Sequence, residues 1–267
     1  MKLLKRHLAP ILPEAWEAID AEACDALHVA LAARRVVDVS GPHGWELASV
    51  STGKLDLIDA EPSDGVKAGV RRVNPIVELR IPFELKIMDL DSISRGAEDP
   101  DLDAVGEAAR KIARAEDTAI FNGFAAGGVQ GILETAPHDP IPFGKSPEAH
   151  LEAATKARQA LVSSGIGGPY ALVLGRRPYN QVMQAAEDGY PLTKRLNQIL
   201  EGPIVESDVI EGGLLMSTRG GDFELTLGVD FSIGYVSSDR EKVELYLTSA
   251  FAFRTLEPAA AAALPIE

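Results

Sequence analysis

The string DPDLDAVGEAARKIARAEDTAIFNG, residues Asp99 to Gly123, decides the fold. Asp99 and Pro100 form a start signal, Asp101 and Asp103 place negative charge at the positive end of a helix dipole, and Gly123 supplies the stop. Leu102, Val105, Ala109, Ile112, Ala115, Ala119 and Ile120 recur three or four residues apart. Glu107, Lys111, Arg114 and Asp117 fall largely off that stripe. The pattern predicts one long helix with a single buried face.

Two distant stretches are suited to cover that face. From Val77 to Ile87 apolar residues alternate strictly with Glu78, Arg80, Pro82, Glu84 and Lys86. The alternation returns from Val243 to Thr255, with Val243, Leu245, Leu247, Phe251 and Phe253 on one side and Glu244, Tyr246, Thr248 and Arg254 on the other. Both read as one-sided strands. Thirteen residues reach roughly 43 Å at about 3.3 Å each, well beyond the usual strand of about five or six residues. A helix lying on a long antiparallel sheet follows, rather than a ball around a pocket.

The chain of 267 residues, 46% hydrophobic, can bury a sizeable core. No apolar run reaches the length of a membrane span, and Pro10, Pro13 and Glu14 interrupt the start before a signal-like segment forms. The expected setting is cytoplasmic. Cys24 is the single cysteine, so no internal disulfide is possible. The formal charge of −14 repels a phosphate backbone, and only Arg71-Arg72 and Arg176-Arg177 cluster at all. Neither nucleic acid nor membrane is an expected partner.

Taken in order, Leu3 to Ile11 reads as an extended apolar arm, Glu14 to Ala33 as an amphipathic helix, and residues 34–39 as a short strand before the Gly41-Pro42 turn. Residues 46–75 read as a hairpin arm whose polar centre, Asp59 to Gly65, has too little apolar surface to fold alone. Such a ribbon gains stability by lying on a neighbour. After the long helix, glycines and prolines up to Pro147 mark a boundary. Helices over 147–164, 178–186 and 192–200, with strands at 170–174, 204–206 and 214–217, then predict a small inserted α/β unit. The alanine run at 259–263 reads as a terminal tail.

Catalytic chemistry is missing from this pattern. The five histidines, His7, His28, His43, His138 and His150, are scattered, with no pair at metal-ligand spacing. Gly123 to Gly131 follows a helix rather than a strand, so it is not a phosphate loop. No nucleophile elbow is present. The acidic loop Glu187-Asp188-Gly189-Tyr190 reads as a solvated helix connection unless several copies surround an axis, where its carboxylates would form a cation-attracting ring.

These residues together resemble the encapsulins, or linocin-type proteins, which form nanocompartment shells with the HK97 phage capsid fold. The resemblance rests on Leu4 with Arg6, Ala9-Pro10, Trp16, Ile19, Arg34, Val37-Asp38-Val39, Gly41-Pro42, Gly44-Trp45, Leu90-Asp91, Arg95-Gly96, Glu116-Asp117, Ile120-Phe121, Gly168-Pro169-Tyr170, Tyr190-Pro191-Leu192, Arg219 to Phe223 and Ser232 to Tyr235. These anchors keep their order along essentially the whole chain.

The resemblance implies an α+β chain with the HK97 capsid-like fold. Residues 1–45 would be the N-terminal arm and helix of the P domain, 46–75 the E-loop, and 76–131 the P domain with its spine helix. Residues 132–222 would be the A domain, 223–255 the long P-domain strands, and 256–267 a C-terminal tail. It implies a non-enzymatic, icosahedral homo-oligomer enclosing a cargo enzyme such as a dye-decolourising peroxidase or a ferritin-like protein. Cargo would be held through a C-terminal targeting peptide by Leu27, Leu31, Arg34, Asp38, Val39, Asp230 and Ile233. Leu27 and Leu31 read equally as core residues, and Arg34 equally as a brace of the fold. Glu187, Asp188, Gly189 and Tyr190 would line a pore at the five-fold axis. No flavin is assigned, because Met88 stands where some members carry a tryptophan, and no metal is implied. Outside this reading stand a hydrolase or peptidase, which lacks a nucleophile with its base, and a phage-type capsid subunit, against which the acidic balance counts.

Overall fold

A computed structural model describes residues 3–60, 62–187 and 190–266. Helix α1 (Pro13–Ala30) leads through a short turn at 31–37 to strand β1 (Asp38–Ser40), and a ribbon of β2 (Ser49–Ile58) and β3 (Ala68–Pro75) follows. Next come β4 (Val77–Lys86), α2 (Ile87–Ser94), α3 (Asp103–Phe121) and α4 (Ile132–Thr135). The α/β unit contains α5 (Pro147–Ser163), β5 (Tyr170–Gly175), α6 (Arg176–Gln184), β6 (Ala186–Glu187), β7 (Tyr190–Pro191), α7 (Leu192–Leu200), β8 (Glu201–Ser207) and β9 (Gly213–Ser217). The chain ends with β10 (Phe223–Ser238), β11 (Lys242–Thr255) and β12 (Ala261–Leu264).

The long helix starts at Asp103 rather than at Asp99. Leu102 is its N-cap, so the Asp99-Pro100 signal marks the preceding turn. It stops where expected, at Asn122, followed by Gly123 with φ +92°. Its buried face differs from the predicted stripe: Ala115 is exposed, whereas Glu116 and Asp117 are 0% and 2% exposed. The helical row runs Ile112, Glu116, Ile120 at four-residue spacing, and a carboxylate on that row broke the apolar pattern. Helix α1 crosses α3 at Gly106, where an added Cβ would lie 2.7 Å from Glu22 Oε1 and 3.1 Å from Arg110 Nη1, so these two side-chain ends would have to move aside.

The main sheet has the order β1-β10-β11-β4, with β1 parallel to β10 and the other pairs antiparallel. Ile19 and Ala23 of α1, Val105, Ala109 and Ile112 of α3, and Phe83, Leu85, Leu245 and Leu247 of the sheet share one core. The one-sided reading of β11 fails in its middle. As a central strand it also buries Tyr246, whose ring lies 3.4 Å beneath the Arg80 guanidinium, and Thr248, whose Oγ1 donates to the Leu79 carbonyl at 2.7 Å. The N-terminal arm lies on β10 beyond the end of β1, where Tyr235 N–H donates to the Leu4 carbonyl. Arg6 pins the arm to α1 through Asp20 at 2.7 Å and the Trp16 ring at 3.9 Å.

A second sheet, β12-β9-β5-β8, forms the α/β unit, and its core runs on through Phe121 of α3 to Phe223 and Phe251 of the main sheet. Here the alanine run departs from its reading as a tail. β12 pairs antiparallel with β9, and Ala261, Ala262 and Leu264 are fully buried. Alanine's small side chain lets the strand pass beneath α5, but leaves no periodicity from which a strand is legible. The ribbon behaves in the opposite way. β2 and β3 pair only with each other in sheet terms, and Leu55, Leu57, Ile58, Val66, Val70 and Val73 are 45–73% exposed.

Candidate functional site

The junction between α1, α3 and β10 is where the sequence-predicted site residues concentrate. At the end of α1 the chain leaves helical geometry, and the freed N–H groups of Ala32 and Ala33 donate to Asp117 Oδ2 and Oδ1 at 2.9 and 3.0 Å. One residue earlier on α3, Glu116 receives Arg34 in a two-point pair: Nε to Oε1 at 2.6 Å and Nη2 to Oε2 at 3.0 Å. Arg34 Nη1 also donates to Asp230 Oδ1 at 2.7 Å, and its guanidinium lies 4.4 Å from the Phe231 ring. Two register shifts in β10, between Leu227 and Val229 and between Val229 and Ser232, turn Asp230 toward Arg34.

Burial governs the electrostatics of this clamp. It pushes the Glu116 carboxyl above its ordinary range, against the opposing pull of Arg34. It pushes Asp117 up to about 7, with the two backbone donors pulling it back. Arg34 is itself drawn down by burial, but its bonds and charges with Glu116 and Asp230 more than offset this and keep it cationic.

The seven expected peptide-binding residues therefore divide. Arg34 and Asp230 contact each other and brace the fold. Ile233 is 3% exposed within the core that also receives Leu27, so it offers no open surface. Leu27 and Leu31 are half-buried and one helical turn apart, while Val39 is 44% exposed. Asp38 is engaged elsewhere: its Oδ2 accepts Gly221 N–H at 2.6 Å, and it lines a small cleft of about 150 Å³ beside Thr218 and Asp222. Glu116 and Asp117 carry the clamp and were not among the candidates. The available signal was an adjacent acidic pair interrupting the buried side of an otherwise amphipathic helix.

In the acidic loop, Ala186 and Glu187 pair with Pro191 and Tyr190 as a two-residue ribbon between α6 and α7. Asp188 and Gly189 lie outside the described residues. Tyr190 is 41% exposed, and Lys194 Nζ stands 5.6 Å from its ring centre. Among the described residues no three His, Cys, Asp or Glu side chains could hold a metal ion, and no helix is long and apolar enough to cross a membrane.

Comparison with known proteins adds the following. Residues 1–252 match the family described as "Encapsulating protein for peroxidase". A type 1 encapsulin shell protein of Rhodospirillum rubrum is 46% identical over 270 residues, covering 99% of this chain and 96% of that one. A type 1 encapsulin shell protein of Mycobacterium tuberculosis is 38% identical, covering 99% of both chains. Among solved structures, a virus-like particle from Pyrococcus furiosus superposes with a TM-score of 0.67 at 18% identity, over 94% of this chain and 99% of that one. The capsid of Myoviridae phage XM1 superposes with a TM-score of 0.57 at 13% identity, over 87% and 90% of the respective chains. The fold is that of the HK97-like capsids.

Proposed function

This chain belongs to the type 1 encapsulin shell proteins, which have a structural role rather than an enzymatic one, and from that premise we propose that its copies close into an icosahedral cytoplasmic compartment that holds an enzyme by a C-terminal targeting peptide. The β2–β3 ribbon is the observation that carries this reading. An isolated two-stranded ribbon is marginal in water, and this one leaves six large apolar side chains at least 45% exposed. A second copy lying against it supplies the missing burial, and contacts of that head-to-tail kind close into shells when the rotation permits.

The family description supports a peroxidase as cargo, and the resemblance adds a ferritin-like protein as the other class. Leu27, Leu31 and Val39 supply apolar contact for a peptide, with Asp38 and the part-exposed carboxylate of Asp230 as polar anchors. Arg34 and Ile233 form the wall behind them. Glu187, Asp188, Gly189 and Tyr190 line a five-fold opening that admits small cations.

Negative-stain microscopy and size-exclusion chromatography of the protein expressed alone test the shell. Uniform hollow particles are expected, and a monomer or small oligomer across salt and pH conditions would overturn the reading. The same particles carrying Glu187→Gln and Asp188→Asn should admit small cations more slowly, and unchanged entry would remove the role of that loop.

A further inference from the structure

His150, near the start of α5, is 1% exposed, and among the described residues neither of its ring nitrogens has a hydrogen-bond partner. A neutral imidazole carries one donor and one acceptor, so both are unmatched here, and an imidazolium would leave two donors and a charge unmatched. Burial holds His150 below its ordinary titration range. The Gly144 backbone pulls it the other way to a lesser extent, without hydrogen-bond geometry. What the ring does touch is the fully buried Phe143, stacked on it with centroids 4.5 Å apart and planes 16° from parallel.

Phe143 belongs to the segment that closes the outer edge of β12. On its inner side β12 pairs with β9. On its outer side Ile141 N–H donates to the Ala263 carbonyl at 3.1 Å, Phe143 N–H donates to the Pro265 carbonyl at 2.7 Å, and Phe143 bridges Ile266. His138 adds a tie, its Nε2–H donating to the Ala259 carbonyl at 2.9 Å. Because that partner is an acceptor, His138 keeps its bond whether neutral or charged. His150 has no bond to keep in either state.

No charged group compensates the His150 ring. Strands β9 and β12 contain no ionisable side chain, and the residues one turn from His150 on α5 are Ser146, Pro147, Ala153 and Ala154. Glu148 and Glu152 of α5, Asp139 and Lys145 of the 137–146 loop and Lys194 of α7 are exposed, Arg195 of α7 is half-buried, and none of them shifts the ring's titration.

We propose that His150 is an acid-operated latch on the C-terminal strand: on gaining a proton from solvent its ring leaves the stack on Phe143, and the 137–146 loop then releases residues 261–266 and uncovers the edge of β9. The latch stands on contacts within one chain and holds independently of the shell reading. In the open form the ring titrates at about 6.5, and in the closed form lower, so the open form takes up the proton first. Opening is therefore favoured as pH falls below about 6.5, by up to about tenfold per unit. The raised Asp117 acts in the opposite sense, stabilising the folded chain on acidification, so loosening of β12 by acid does not come from the clamp. Glu148 and Glu152, held below their ordinary range, keep their charge down to about pH 5.

Hydrogen exchange read by mass spectrometry on the full chain, in whatever assembly it forms and corrected for the intrinsic pH dependence of exchange, tests the latch. From about pH 7.5 to about pH 5 the peptide covering residues 259–266 should lose protection by about tenfold while β10 and β11 hold theirs. His150→Phe keeps a stacked ring that takes no proton and should hold that peptide protected throughout. His138→Gln keeps a side-chain donor for Ala259 and should respond like the parent. A parent peptide that stays protected at the acid end, an unchanged response in His150→Phe, or its loss in His138→Gln overturns the latch. If circular dichroism shows that His150→Phe does not fold, His150→Leu takes its place, and if that fails too the parent and His138→Gln profiles decide.

Discussion

Arg34–Glu116 and Arg72–Asp56 are the same chemical pair at nearly the same distance, 2.6 and 2.7 Å, yet the two sites behave differently because of what surrounds them. The first has side chains 16% and 0% exposed, at a junction of helices. The second has side chains 56% and 53% exposed, on the ribbon. In the clamp neither charge can return to water, so each depends on the other. On the ribbon both are already solvated, and the pair adds little. A buried junction stores its stability in mutual dependence, whereas an exposed ribbon keeps its groups individually solvated.

The largest expected effect is at Arg34→Ala. It leaves the fully buried Glu116 without its cation and should cost about 3 to 5 kcal/mol in urea denaturation. If the loss were no greater than that of Arg72→Ala, the contrast would collapse.

The clamp's pH response comes next. Asp117 titrates at about 7 in the folded chain against about 3.9 unfolded. Between those values the folded state holds a proton that the unfolded state has released, so stability falls as pH rises from about 4 to about 7, by up to about 1.4 kcal/mol per unit, and levels off above. The raised Glu116 acts in the same direction. Denaturation midpoints measured from pH 4 to 8 should decline accordingly, and Asp117→Asn should flatten the curve while costing about 1 to 3 kcal/mol for the backbone donor it leaves unmatched. A midpoint that climbs over this range in the parent protein would show that Asp117 is ionised throughout.

The smallest effect belongs to Arg72→Ala, which should leave the denaturation midpoint unchanged within error. A clear loss there would mean that the ribbon is tied into its own chain more firmly than its exposure indicates.

Part of this contrast was legible before the structure. The exposed ribbon follows from the hairpin reading and polar centre of residues 46–75, and β4, α5, β5 and α7 fall close to where the sequence places them. The clamp was not legible in the same way. Its acidic pair lies in the sequence, but Asp117 reads as solvent-facing because its partners are two backbone N–H groups, which have no sequence signature. Strand β12 was missed for a related reason, since a run of alanines fits a tail as readily as a buried edge strand. Helix α2, whose Leu90 joins the core, carried too short a period to stand out beside β4.

What the sequence by itself determined are properties carried by neighbours along the chain: the long helix and strands, the inserted α/β unit, the acidic balance and the ordered anchors of the encapsulin resemblance. Tertiary structure alone decided which polar groups would share the interior. Asp117 meets Ala32 across 85 positions and Arg34 meets Asp230 across 196. Periodicity encodes which way a side chain faces on its own element over a few residues. It carries no information about which distant carboxylate, guanidinium or freed N–H will be brought opposite, and in a buried site that partner determines whether a charge braces the fold or is left for a ligand.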